Sequence, residues 1–121
     1  MGVTFDKSKA FAIRVVNLYK YLRESQKEFV MSKQILRSAT SIGANLAEAE
    51  YGISKNDFLA KLYISMKECS ETLYWLELLY STEFLTKNMY ESLSGDCIEL
   101  LKLLKASTKT TKEQIVSNKI K

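Results

Sequence analysis

Apolar residues recur along this chain at intervals of three and four, the period of a helix with one buried side. Phe11, Val15, Leu18 and Leu22 form the first such stripe, widened by Ala12 and Tyr19. The spacing predicts a helix over residues 6–24, with Asp6 as its N-cap. A polar connection at 25–31 leads to Ile35, Ala39, Ile42, Leu46 and Ala49, which predict a second helix over 32–51. Ser32 is its expected cap, and Gly52 the expected left-handed residue beyond its end.

Ser54-Lys-Asn-Asp57 resembles a capping box with Asp in the place of Glu, so a third helix is expected over 54–81. Phe58, Leu62, Met66, Cys69, Leu73, Leu76 and Tyr80 line its predicted core side. A fourth helix is expected over 86–106, burying Met89, Leu93, Cys97, Leu100 and Leu104, with Gly95 inside it for no evident reason. Residues 107–121 turn to Ser, Thr and Lys. They read as a basic tail that either frays or restarts a short helix around Thr111 and Gln114. Strand signals are absent. Four amphipathic helices with short connections predict an all-α, antiparallel up-down-up-down four-helix bundle forming a single domain over 1–121.

Two helices carry more than a core stripe. Opposite the stripe of the second lie Arg37, Ser41, Ala44 and Glu48, and small residues occupy both sides. Such a helix suits close approach to more than one neighbour and points to an assembly. The third presents Ile64, Glu68, Glu71, Trp75, Leu78 and Leu79 away from its predicted core. That patch is either a subunit contact or a widening of the core. Arg37 and Glu48 stand too far apart to pair along one helix, which leaves Glu68 and Glu71 as candidate partners for Arg37. The alternative is that these four charges are simply solvated.

Composition narrows the chemistry. The chain has no proline, consistent with long helices, and no histidine, so the commonest general base and metal ligand are both missing. Glu68-x-x-Glu71 lacks the histidine partner of carboxylate metal bundles, and neither a metal centre nor another cofactor is expected. Cys69 and Cys97 fit no metal-ligand spacing and fall on core stripes, where buried free thiols are favoured over a disulfide. Arg14, Asn17 and Lys20 interrupt the first apolar segment, so no secretory signal is read there. No apolar run is long enough to span a membrane, and the cytoplasm is the expected location.

The net charge of +4 is unevenly spread, at +4 over residues 1–27, −3 over 28–84 and +3 over 85–121. Lys9, Lys20, Arg23 and Lys27 cluster on one flank of the first helix. The end of the chain adds Lys102, Lys105, Lys109, Lys112, Lys119 and Lys121. First and fourth helices are neighbours in an antiparallel bundle, so the two sets are candidates to form one phosphate-binding surface. Lys9, Lys20, Arg23, Lys27, Lys105 and Lys109 are its main candidates. A solvated basic face without a ligand is the plainer alternative.

Arg37-Ser-Ala-Thr-Ser-Ile-Gly-Ala-Asn-Leu-Ala-Glu-Ala, Phe58 to Ile64 and Glu68-Cys-Ser-Glu-Thr-Leu-Tyr-Trp75-Leu together resemble the bacterial "four helix bundle protein" family. Its members are also called 23S rRNA intervening-sequence proteins. The matching positions are Arg37, Ser41, Asn45 and Glu48, then Glu68, Glu71, Trp75 and Leu76. The resemblance implies an antiparallel four-helix bundle assembling into a homopentamer, with those polar residues organising the interface or a structural cluster. It also implies kinship with the accessory variability proteins of diversity-generating retroelements, basic pentamers that bind nucleic acid and a reverse transcriptase. The expected function is therefore a non-enzymatic homo-oligomer that binds structured RNA or DNA, with a nucleic-acid enzyme as a possible protein partner. The alternative is a protein-interaction scaffold that never touches nucleic acid.

Overall fold

The computed structural model describes residues 2–120, with side chains through Lys119. Lys121, in the expected basic tail, lies outside the described residues. Four helices run α1 (Gly2–Glu24), α2 (Met31–Ala49), α3 (Lys55–Ser81) and α4 (Lys87–Ile120), and no strand occurs among the described residues. Sequence neighbours pack together, α4 closes against α1, and the diagonal pairs stay apart. Cross-helix partners run in opposite order, Ser38 with Thr72 and Ile42 with Ser65, or Lys55 with Gln114 and Cys69 with Cys97. The architecture is an antiparallel four-helix bundle.

Phe11, Val15, Leu18 and Leu22 on α1 and Ile35, Ala39, Ile42 and Leu46 on α2 are buried in one core. Leu62, Cys69, Leu76 and Leu79 on α3, Leu85 in the α3–α4 connection, and Leu93, Cys97, Leu100 and Leu104 on α4 complete it. Between these apolar residues lie small hydroxyls. A Cβ added to Gly43 would stand 3.0 Å from Ser8 Oγ, so α1 and α2 touch closely there. Ser65 Oγ donates to the Ile42 carbonyl at 2.9 Å, and Ser38 and Thr72 share a hydrogen bond of 2.8 Å. The small residues of α2 thus admit two close neighbours, α1 and α3 of the same chain.

Several local expectations are corrected. α1 begins at Gly2, which leaves Asp6 inside the helix instead of capping it. Ser32 does not cap α2 either. The residue before that helix is Val30, and the buried carboxylate of Glu28 takes the cap's role, accepting from the N–H groups of Val30, Met31 and Ser32 at 3.0, 2.8 and 2.7 Å. Ser32 Oγ turns back to the Glu28 carbonyl. Gly52 has no positive φ; it is small because a Cβ would come within 3.2 Å of the Ala49 carbonyl oxygen and 3.3 Å of Asp57 Cβ. Left-handed backbone falls instead on Lys27 (φ 56°) and Glu83 (φ 68°). Ser54 caps α3 as its sequence suggests, accepting from the Asp57 N–H at 3.1 Å.

The largest departure is α4, which neither frays nor restarts after Ala106 but continues unbroken to Ile120. Its 34 residues span about 51 Å. Thr108 and Thr111 are buried, because this end packs on the first turns of α3: Thr108 Oγ1 meets Met66 Sδ at 3.3 Å and Lys55 Nζ donates to Gln114 Oε1 at 3.0 Å. Cys69 and Cys97 are free and buried, the Cys97 thiol donating to the Cys69 carbonyl at 3.5 Å. Its interaction with Cys69, then burial, raises the Cys97 pKa and disfavours the thiolate.

Candidate functional site

Antiparallel packing of α2 on α3 sets Arg37 opposite two carboxylates one helical turn apart. The Arg37 guanidinium pairs with Glu71 and, at 3.3 Å, with Glu68. Trp75, four residues beyond Glu71, donates its indole N–H to the same Glu71 oxygen at 3.0 Å. The Trp75 hydrogen bond, reinforced by Arg37, holds the Glu71 carboxyl below the usual carboxylate range. Pairing with Glu71 in turn raises the Arg37 pKa. Glu68 is the most enclosed of the three, its side chain 12% exposed against 50% for Arg37. Trp75 packs on the core and meets the Tyr74 ring edge-on at 5.1 Å.

The remaining motif residues sit elsewhere. Ser41 and Asn45 turn onto their own helix, Ser41 Oγ donating to the Arg37 carbonyl and Asn45 Nδ2 to the Ser41 carbonyl. Glu48 pairs with Lys61 at 3.0 Å and takes no part in the Arg37 cluster. The outward patch on α3 is smaller than its sequence suggests. Leu79 is fully buried and Leu78 half-buried, while Ile64 is exposed and Tyr80, expected in the core, lies at the surface stacked on Tyr90. The buried stripe is Leu62, Ser65, Cys69, Thr72, Leu76 and Leu79. Its hydroxyls, Ser65 and Thr72, hydrogen-bond across to α2.

The basic side chains of α1 and α4 meet different surroundings. Lys7 pairs with Glu99 and Arg14 with Asp96, the latter at 2.6 Å, so acids of α4 neutralise the bases that face them across the α1–α4 seam. Lys9 and Lys20 are exposed and, among the described residues, have no ion-pair partner. Arg23 lies between two rings, 5.3 Å from the Tyr19 centroid and 5.1 Å from that of Phe29, with Nη1 buried. It is held by aromatic faces more than it is offered to solvent. Lys27 belongs to the α1–α2 connection. The Lys7–Glu99 register carries Lys105 and Lys109 toward and past the start of α1, at the opposite end of the bundle from Lys27. Lys102, Lys112 and Lys119 join them on the uninterrupted α4. Placing them required a helix through 107–120, and the Ser/Thr-rich sequence there gives little propensity signal for one.

Residues 3–106 match the family described as 23S rRNA-intervening sequence protein. A crystal structure from Bacteroides thetaiotaomicron, of a protein with unknown function from the S23 ribosomal protein family, is 58% identical. It superposes with a TM-score of 0.88, covering 89% of this chain and 96% of that one. No match is found among curated protein sequences. No helix among the described residues is long and apolar enough to cross a membrane.

Proposed function

This chain belongs to the 23S rRNA-intervening sequence protein family, and we propose that it is a non-enzymatic homo-oligomer, a pentamer by preference, whose basic surface binds structured RNA or DNA. The observation that carries the reading is the fate of the charges on α1 and α4. Glu91, Asp96 and Glu99 are each taken by a nearby base, and the remaining exposed acids of the two helices, Asp6, Glu24 and Glu113, are outnumbered by lysines unpaired among the described residues. Lys9, Lys20, Lys105 and Lys109 are left exposed without partners among the described residues. Repetition around a homo-oligomer multiplies the surplus of positive charge, and phosphate affinity grows with each neutralised contact.

The Arg37–Glu71–Trp75 cluster supplies the rigid, half-exposed aromatic and charged surface that subunit contacts favour. Light scattering on the Trp75→Ala, Arg37→Ala double variant should therefore report smaller species than wild type. An unchanged mass rejects this interface. For binding, a fluorescence titration with a structured RNA and a duplex DNA at about 50 mM salt should show complexes that weaken steeply toward about 200 mM. No binding at low salt to either rejects the nucleic-acid reading.

One feature favours a second reading, a scaffold gripping a partner protein in the cytoplasm. Tyr51 and Ile53 at the α2–α3 connection are 87% and 96% exposed, an apolar tip that none of the described residues covers. A pull-down whose protein partners are lost on Tyr51→Ser, Ile53→Ser substitution but unaffected by Lys9→Glu, Lys20→Glu would support the scaffold.

A further inference from the structure

We infer that the carboxy-terminal half of α4 is a rail for the sugar–phosphate backbone of a nucleic-acid duplex, and that it discriminates against unstructured single strands. The inference rests on the nucleic-acid reading above and assigns it a surface and a ligand form. Lys102, Lys105, Lys109, Lys112 and Lys119 all fall within about 100° of arc on one helix. All five are exposed, and among the described residues none has an ion-pair partner. Beyond Glu99 the only acidic residue is Glu113, at the margin of that arc. The rail is about 26 Å long, the rise of about eight base-pair steps.

Three of the five lysines lie beyond residue 106, where the family match ends. They form one surface only because the helix continues, and the contacts with α3 hold that continuation in place. Lys112 Nζ sits 5.1 Å from the centroid of the Tyr63 ring, and Lys55 holds Gln114.

The chemistry of this surface selects the ligand. Single strands are gripped by combining basic charge with aromatic rings on which bases stack. The rail contributes no ring of its own, and the nearby Tyr63 has a face covered by Lys112. A rigid row of point charges suits a rigid, densely charged duplex, whereas a flexible strand must first be ordered along it. Anionic membrane is disfavoured because the arc offers no broad apolar face to insert, Val116 and Ile98 being its exposed apolar residues.

The test is fluorescence anisotropy of the full chain with two labelled probes at matched low salt. One is a mixed-sequence RNA duplex of about 20 base pairs, longer than the rail; the other is oligouridine of the same length. The duplex should bind at least about tenfold tighter, and Lys105→Glu with Lys109→Glu should weaken it at least about tenfold. That pair should also flatten the log–log salt slope by about two, whereas Lys9→Glu with Lys20→Glu should do less. The neutral Lys105→Gln, Lys109→Gln pair should fall between, and circular dichroism checks that every variant keeps its helicity. Equal or tighter oligouridine binding overturns the inference, as does duplex binding indifferent to the α4 substitutions. Displacement of the duplex by phosphatidylserine vesicles assigns the rail to membrane and also overturns it. If neither probe nor any other nucleic acid binds, the parent reading fails and the rail with it.

Discussion

At the start of α2, the N–H groups of Val30, Met31 and Ser32 converge on the buried carboxylate of Glu28. Burial alone would raise the pKa of this carboxyl, but the three backbone hydrogen bonds outweigh it and hold the value below the usual range. Glu28 therefore contributes stability that is fully present above the ordinary carboxylate value of 4.5 and is lost as pH falls through the depressed folded value. Glu71, held down by Trp75 and Arg37, acts in the same direction. Glu28→Ala orphans three amides and should cost about 1–3 kcal/mol by urea denaturation at neutral pH. Glu28→Gln should make the melting temperature less sensitive to acid as pH falls from about 4.5 through the depressed folded value. An acid limb identical to wild type would deny Glu28 this part. Lys27 and Glu83 occupy left-handed backbone that glycine adopts freely. Lys27→Gly and Glu83→Gly should each raise stability by about 1 kcal/mol, read as a shifted denaturation midpoint.

On the scale of a helix, the main device is the small hydroxyl or glycine that lets two helices approach. Gly43 faces Ser8 across the α1–α2 contact with no room for a branched side chain. Gly43→Val should destabilise the fold by about 1–3 kcal/mol. Gly95 is the opposite case, since a Cβ there meets nothing within 4 Å. Gly95→Ala should stabilise α4 by up to about 1 kcal/mol, and a calorimetric loss of stability would contradict the open space around this position. These contrasts explain what was legible in the sequence. Ile35, Ile42, Leu46 and Leu62 announce the core because a three–four spacing of large apolar residues has one structural meaning. Ser65, Thr72 and Thr108 do not, because a hydroxyl suits solvent and helix contacts equally well until its partner is known. The Arg37 cluster was legible as a set of candidate partners, since opposite charges sat on adjacent helices. That Glu48 instead pairs with Lys61 depends on helix register, which one sequence does not display. The continuation of α4 past Ala106 is illegible for a related reason. Ser107, Thr108, Thr110 and Thr111 are poor helix formers, and packing against α3 overrides them.

The whole molecule combines a neutralised α1–α4 seam, a polar cluster on the α2–α3 face and a lysine-lined extension of α4. In the proposed assembly the first two would present one rigid face to copies of the chain, and the third would give each copy a positive arm. There a modest charge per chain would add up to a strong field, which ties the proposed oligomer to the proposed ligand. Reversing the α4 lysines should therefore weaken RNA binding while leaving the assembly's mass unchanged. The Trp75→Ala, Arg37→Ala variant should lose both, as seen by scattering and titration together. The most direct test is size-exclusion chromatography with light scattering on the wild-type chain, alone and with structured RNA at low salt. The account predicts a mass several times the 13.9 kDa of one chain, increasing by the mass of RNA when it is added and reverting at high salt. A species of 13.9 kDa that ignores RNA would contradict it.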